Sequence, residues 1–185
     1  DILPSNFPED LDKSKYPDPK EYVKDTCFGK LKDVREQIKE KKIPFDLVIC
    51  CDTVILHEGK IIEKPENEKE AYEMIKGFSG KTHEVLSVLF LLFKHEGSDE
   101  ETILSGTEIS KITFGEIPDK SLEKYSKIKD LQNASGGYRI QDLGLSFVSS
   151  IEGCFGNIVG LPVHSFCKMV IEGIDKAGWK EKESK

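Results

Sequence analysis

The sequence predicts a single α/β domain, and three observations support this fold class. Short apolar runs typical of strands alternate with segments whose apolar residues recur at helical spacing. The 185 residues fit one domain of ordinary size, or one domain folded as two lobes around a cleft. No internal repeat and no linker interrupts the pattern.

The predicted elements follow from hydrophobic spacing and from Pro, Gly and Asn punctuation. In order they are irregular residues 1–20, a helix from Pro19 closed by Pro44, a strand over 45–51, a hairpin over 54–62 turning at Gly59, a helix capped by Asn67 and ended by Gly77, a strand over 85–93, a loop over 95–101, a strand over 102–114, a helix over 118–129, a strand over 143–151, a helix opened by Pro162, and a charged tail over 180–185.

The strand over 45–51 has the greatest functional interest. It is continuously apolar after Asp46, which is typical of a strand buried on both faces, and it is expected to stop at Asp52-Thr53. Ligands of open α/β sheets gather beyond the carboxyl ends of strands, so a carboxylate there is well placed for a site. The alternative is an ordinary Asp that forms a turn and caps the next element.

Composition excludes several functional classes. The net charge is −7 without a basic block, which argues against a nucleic-acid polymer as partner but not against a small phosphorylated ligand. The longest apolar run, 85–93, is too short to cross a bilayer, so no membrane association is expected. Residues 1–5 lack the pattern of a secretory signal. The five cysteines form no C-x-x-C pair, which favours packing thiols in a reducing, cytoplasmic compartment.

Two further segments carry candidate binding residues. Lys64, which precedes the rigid Pro65, is able to reach an anionic oxygen, although an ordinary surface lysine is the favoured explanation for this residue on its own. Gly136 and Gly137 permit close backbone approach to a ligand, and Gln141 offers both a donor and an acceptor to a base edge. A tight turn is the alternative explanation for the paired glycines.

Other chemistries find no support in the sequence. The segment 78–84 resembles a phosphate-binding loop only superficially, since the Gly-x-x-x-x-Gly-Lys frame is missing. The four histidines lack the spacing of a zinc site, and no Gly-x-Ser-x-Gly elbow marks a serine hydrolase.

Taken together, several short segments resemble the Maf family of nucleoside triphosphate pyrophosphatases. They are Pro-Ser-Asn-Phe-Pro-Glu at 4–9, Cys-Asp-Thr-Val at 51–54, Glu-Lys-Pro at 63–65, Phe-Ser-Gly-Lys-Thr-His-Glu-Val at 78–85, Gly-Gly-Tyr-Arg-Ile-Gln at 136–141 and Ile-Val-Gly-Leu-Pro at 158–162. The resemblance covers most of the chain, as one Maf-like domain over 1–179, and is greatest to eukaryotic members. It implies an α/β fold like that of inosine triphosphatase, with a mixed sheet and two lobes around a central cleft, commonly dimeric.

The implied reaction splits a nucleoside triphosphate between the α and β phosphates, yielding a monophosphate and pyrophosphate. Asp52 matches the family's proton acceptor, which activates water directly or through a divalent ion. Glu9 matches an acidic residue of the family's cleft and is expected to bind substrate and, with Asp52, the metal. Mg²⁺ or Mn²⁺ is the implied cofactor, because oxygen ligands suit these ions.

The resemblance also implies roles for four substrate-binding residues. Lys30 and Lys64 match family lysines that neutralise phosphate oxygens, while Thr53 and Gln141 match positions linked to base preference. The Thr after Asp52 and the pattern ending in Gln141 resemble the branch acting on dTTP and UTP.

The chain departs from the family pattern in ways that define a second hypothesis. No Ser-x-Ser-Pro-Arg-Arg loop precedes Pro4, so this segment is either missing from the sequence or lost from the protein. Asn-Ala-Ser at 133–135 replaces Asp-Lys-Ala, and Arg139 stands where glycine is usual. These changes favour a weakened nucleotide-binding or regulatory module. A purine-editing pyrophosphatase of the inosine-triphosphatase kind is the third hypothesis, although its sequence signals are absent.

Overall fold

The computed structural model describes residues 1–180, and within them a five-stranded sheet and five α-helices confirm the α/β prediction. The elements are α1 (Pro19–Lys41), β1 (Leu47–His57), β2 (Lys60–Ile62), α2 (Glu68–Phe78), β3 (Thr82–Lys94), β4 (Glu101–Phe114), α3 (Asp119–Tyr125), β5 (Val148–Glu152), α4 (Phe155–Val159) and α5 (Val163–Ala177). The strand order is β2-β1-β3-β4-β5, with β1–β2 and β4–β5 antiparallel. Apart from Lys180, the predicted tail over 180–185 lies outside the described residues.

The first helix, α1, begins and ends as its sequence predicts. The Asp18 side chain accepts a hydrogen bond from the amide of Lys20, and Pro19 occupies the first turn, where its missing N–H costs nothing. The helix stops before Pro44, at Lys42, whose left-handed φ of 51° turns the chain toward β1.

The predicted end of β1 at Asp52-Thr53 is wrong. The strand continues through both residues to His57 and pairs with β2 across the turn at Glu58 and Gly59. Polar residues are tolerated inside the strand because both side chains have partners, Lys30 for Asp52 and Ser87 for Thr53. Burial on both faces is also wrong for β1, since 48% of Ile49 is exposed. The strand that is buried almost throughout is β3.

The chain divides into two compact units, and the strands β1, β3 and β4 contribute residues to both. The first unit comprises Asp1–Asp52, Val88–Thr107 and the residues from Val163 onward, and the second comprises Thr53–Ser87 and Glu108–Pro162. In the first unit the buried side chains come chiefly from α1 and from 88–93 of β3. Gly173 of α5 lies against the ring of Phe93, at a distance that leaves no room for a β-carbon.

The core of the second unit is rich in aromatic rings. Phe78 stacks on His83 with ring centroids 4.3 Å apart, and Phe114 lies edge-on to both rings. The imidazole Nε2 of His83 lies 2.7 Å from the hydroxyl of Tyr138. Burial lowers the pKa of His83 to about 4, so the ring is neutral in this packed environment at neutral pH.

Two element predictions in the second unit need correction. The helix expected over 118–129 ends at Tyr125, with Pro118 as its N-cap. The strand expected over 143–151 begins only at Val148, because residues 143–147 form a 3₁₀-helix. A β-carbon on Gly144 would overlap the carbonyl of Arg139, and this close backbone contact bends the chain where apolar residues alone favour a strand.

Two further observations concern the whole described chain. All five cysteines are free thiols. Within residues 1–180, no α-helix has both the length and the hydrophobicity needed to span a bilayer.

Candidate active site

In the first unit, the ammonium group of Lys30 joins two carboxylates. Its Nζ lies 2.7 Å from Oε1 of Glu9 and 2.9 Å from Oδ1 of Asp52. Lys30 comes from the middle of α1, Asp52 from β1 and Glu9 from the segment before α1. Three residues that the sequence singled out therefore meet, and we call them the Lys30 cluster.

Charge and burial define the state of the Lys30 cluster. The side chains of Lys30 and Asp52 are only 19% and 16% exposed, whereas Glu9 is 55% exposed. Burial alone would lower the pKa of Lys30, but its hydrogen bonds to Glu9 and Asp52 outweigh burial and raise the pKa. Lys30 is therefore a permanent cation between two carboxylates, which would repel each other without it.

The segment before α1 is held to the helix by Asp33. Its Oδ2 accepts hydrogen bonds from the Ser5 hydroxyl at 2.9 Å, from the Asn6 amide at 2.7 Å and from the Gln37 side chain at 2.9 Å. These bonds lower the pKa of Asp33, so the carboxylate stays charged. Because Asn6 is only three residues before Glu9, this contact limits where the Glu9 carboxylate can lie.

The carboxylates of the Lys30 cluster suit a divalent ion only if a bound ligand supplies the remaining oxygen atoms of its coordination shell. Glu9 and Asp52 supply carboxylate oxygens, which Mg²⁺ and Mn²⁺ prefer. Within residues 1–180, no group of three or more His, Cys, Asp and Glu side chains could hold a metal ion. Mg²⁺ commonly binds one or two carboxylates together with waters and substrate phosphates, and the Lys30 cluster fits that arrangement.

The second unit contains a cavity of about 270 Å³, here called the Thr53 cavity. Thr53, Lys64 and Gln141, three predicted binding residues, all line it. Its apolar wall is formed by Ile55, Val85, Ile140 and Ile158. The volume lies near the lower end of the range for small-molecule sites, about 300–1,000 Å³. A planar ring would meet apolar walls and a few polar groups in this cavity.

The paired glycines lie in the chain between Ser135 and Tyr138, two residues that line the Thr53 cavity. Gly136 and Gly137 have φ values of 70° and 72°, which side chains rarely adopt. A β-carbon on Gly136 would stand 2.6 Å from Cδ1 of Ile55. The amide of Gly136 donates to the carbonyl of Glu63 at 2.9 Å, which ties this loop to the segment carrying Lys64.

The Thr53 hydroxyl is held by groups that the sequence analysis missed. Its Oγ1 lies 2.8 Å from Oγ of Ser87, and it also donates to the carbonyl of Gly160 at 3.5 Å. Asn157, fully buried, donates to the carbonyl of Val85 at 3.0 Å and so anchors α4. Ser87 could have been predicted from the sequence, because a hydroxyl inside the apolar run 85–93 requires a hydrogen-bond partner.

These observations describe an α/β protein with a cation–carboxylate cluster in its first unit and a small polar cavity in its second unit. Residues 1–172 match the family described as Maf-like protein, and the chain belongs to this family.

Proteins from several organisms are similar in sequence to most of this chain. It is 33% identical over 168 residues to a dTTP/UTP pyrophosphatase of Clostridium perfringens, covering 91% of this chain and 83% of the relative. It is 36% identical over 169 residues to a dTTP/UTP pyrophosphatase of Pyrococcus furiosus, covering 91% and 82%. A dTTP/UTP pyrophosphatase of Chlamydia trachomatis is 34% identical over 155 residues, covering 84% and 74%.

Proposed function

We propose that the protein is a nucleoside triphosphate pyrophosphatase that converts dTTP and UTP to their monophosphates and pyrophosphate. The relatives named for this activity support the reaction. The observation that carries the proposal is the contact of the Lys30 ammonium with both the Asp52 and the Glu9 carboxylates, because it gathers a base, a cation and a second carboxylate.

Asp52 serves as the proton acceptor in this mechanism. A water oxygen attacks the α-phosphorus while its proton passes to the Asp52 carboxylate. The bond between the α-phosphorus and the bridging oxygen breaks, and pyrophosphate leaves with the electron pair. Lys30 and Lys64 offset the negative charge of the phosphate oxygens. Glu9 and Asp52 would hold Mg²⁺ or Mn²⁺, which supplies Lewis-acid polarisation when bound.

The Thr53 cavity supplies recognition of the base. The amide of Gln141 offers both a donor and an acceptor, which matches the alternating carbonyl and N–H groups of uracil and thymine. The hydroxyl of Thr53 is oriented by Ser87 and adds a second polar contact. A volume of about 270 Å³ is sufficient for a nucleobase. Thr53 follows Asp52 directly in β1.

One observation favours the alternative of a nucleotide-binding module with weakened turnover. Ala134 lines the Thr53 cavity where the family pattern has a lysine. Loss of a charged hydrogen bond to phosphate costs about 1.5–3 kcal/mol, enough to reduce turnover strongly.

Pyrophosphate release from UTP and dTTP with Mg²⁺ tests the proposal, using the wild-type protein, Asp52→Asn and the control Asp46→Asn. Asp46 is exposed and precedes β1. We expect Asp52→Asn to lower the rate by about 10²-fold or more, and Asp46→Asn to leave it unchanged. Equal rates for wild type and Asp52→Asn would remove Asp52 from the mechanism. A nucleotide that raises the melting temperature without being hydrolysed would favour the binding module.

Substrate range separates the proposal from purine editing. Rates on dTTP and UTP should exceed those on methylated GTP and inosine triphosphate. The reverse order would identify a purine-editing enzyme.

A further inference from the structure

The Thr53 cavity is positively charged in a chain whose net charge is −7. Among residues 1–180, Lys64 and Arg139 line it, and no Asp or Glu does. Neither cation forms an ion pair within residues 1–180. Two cations that converge on one cavity without a carboxylate repel each other, and an anionic ligand would relieve this repulsion.

Arg139 is held in place by its backbone. Its amide donates to the hydroxyl of Tyr125 at 3.1 Å, and Gly144 leaves room for its carbonyl. The preceding residue, Tyr138, is fixed by its contact with His83. The Arg139 side chain is half-buried, and a guanidinium offers several N–H donors in a planar fork that matches phosphate oxygens.

One hydrogen bond links the two chain segments that carry these cations. The hydrogen bond from the Gly136 amide to the Glu63 carbonyl joins the loop that ends at Arg139 to the residue before Lys64. The apolar wall of Ile55 and Ile158 and the amide of Gln141 are suited to a ring. The cavity therefore combines a surface for a base with two donors for a single phosphate.

We infer that Arg139 is a phosphate-binding residue, and that it and Lys64 hold the phosphate of a pyrimidine nucleoside monophosphate in the Thr53 cavity. For the identity of the nucleotide, the inference rests on the proposed function. Its consequence is that the protein binds the monophosphate product itself, through the phosphate group as well as the base. UMP should therefore act as a product inhibitor that competes with UTP.

Calorimetric binding of UMP and of uridine tests the inference without requiring turnover. The variants are Arg139→Gln, which removes the charge, and Arg139→Lys, which restores it. The control is Lys124→Gln, because Lys124 is an exposed cation of α3 that does not line the cavity. Circular dichroism and melting temperature check that each variant is folded.

Arg139→Gln should weaken UMP binding about tenfold or more, while uridine binding stays within about twofold of wild type. Arg139→Lys should recover much of the lost affinity, and Lys124→Gln should match wild type. The inference is overturned if UMP does not bind the wild-type protein or if Arg139→Gln leaves UMP binding unchanged. It is also overturned if Arg139→Gln weakens the binding of UMP and of uridine equally. Because UMP binding is measured apart from UTP hydrolysis, failure of the proposed activity would be recognised separately.

Discussion

The ring of Phe7 lies over Gly29 of α1, in the space that a β-carbon at position 29 would fill. Gly29 is buried in the middle of the helix, where glycine is otherwise unfavourable by about 1 kcal/mol relative to alanine. Its value here is that it lets the segment carrying Glu9 lie against α1, one residue from Lys30.

The substitution Gly29→Ala should therefore impair activity more than stability. The added methyl group displaces Phe7, so Glu9 loses its fixed position and pyrophosphate release should fall several-fold. The melting temperature should change little, because better helix propensity offsets the lost contact. Gly77→Ala is the matched control, since its β-carbon would meet nothing within 4 Å. Full activity of Gly29→Ala would show that the Phe7 contact is dispensable.

The substitution Asp33→Asn should loosen the segment before α1. A neutral amide oxygen accepts hydrogen bonds more weakly than the carboxylate that now accepts three. Hydrogen exchange at neutral pH should therefore be faster at the Asn6 amide in Asp33→Asn than in the wild type. Glu36→Gln is the control, because Glu36 is an exposed residue of the same helix. In this variant the Asn6 amide should exchange as in the wild type.

The same contact predicts a pH dependence. The folded-state pKa of Asp33 is lowered from 3.8, so its stabilising effect is present above that pH and disappears as the pH falls through the folded-state pKa. Wild-type exchange at the Asn6 amide, corrected for the intrinsic pH effect, should then approach that of the variant. Identical exchange in both proteins at neutral pH would contradict this role of Asp33.

Stability should fall with acidification because of His83. Its pKa is 6.5 in an unfolded chain and about 4 when folded, so the unfolded state binds the proton first as the pH falls. The stabilisation that the neutral ring provides is fully present above pH 6.5 and decreases as the pH falls from 6.5 to 4. Below pH 4 the free energy of unfolding has decreased by about 3 kcal/mol. Urea denaturation at pH 7 and pH 5 measures this loss, which should be smaller in His83→Gln. An equal loss in both proteins would assign the pH dependence to other groups.

Metal dependence should respond to Glu9. Chelation with EDTA should abolish pyrophosphate release, and added Mg²⁺ should restore it. Glu9→Gln leaves one charged carboxylate in the Lys30 cluster, so it should raise the Mg²⁺ concentration needed for half-maximal rate at least several-fold. Glu21→Gln, an exposed residue of α1, serves as the control. An unchanged Mg²⁺ requirement in Glu9→Gln would remove Glu9 from metal binding.

Local rules predicted the boundaries that depend on one or two residues. Asn67 caps α2 through the Glu70 amide, and Gly59 forms the turn between β1 and β2, as the sequence indicates. The continuation of β1 through Asp52 could not be predicted in this way. A polar pair inside a strand is stabilised by partners distant in sequence, and Lys30 is 22 positions away.

The candidate site was predictable in its residues but not in its arrangement. The resemblance indicates Glu9 and Lys30, and Asp52 is indicated both by the resemblance and by its place after an apolar run. Only the structure shows that one ammonium contacts both carboxylates. Asp33 and Asn157 escaped prediction because Asp and Asn are common residues, and nothing in the neighbouring sequence distinguishes those with several hydrogen-bond partners.

The crowded glycine pair at 136 and 137 has an evolutionary consequence. A side chain at either position would be strained, so substitutions that change ligand preference without disturbing the fold are expected beside the pair. Ala134 and Arg139 flank the pair, and both line the Thr53 cavity. Mutational libraries that aim to retarget this protein should accordingly leave the pair intact and randomise its neighbours.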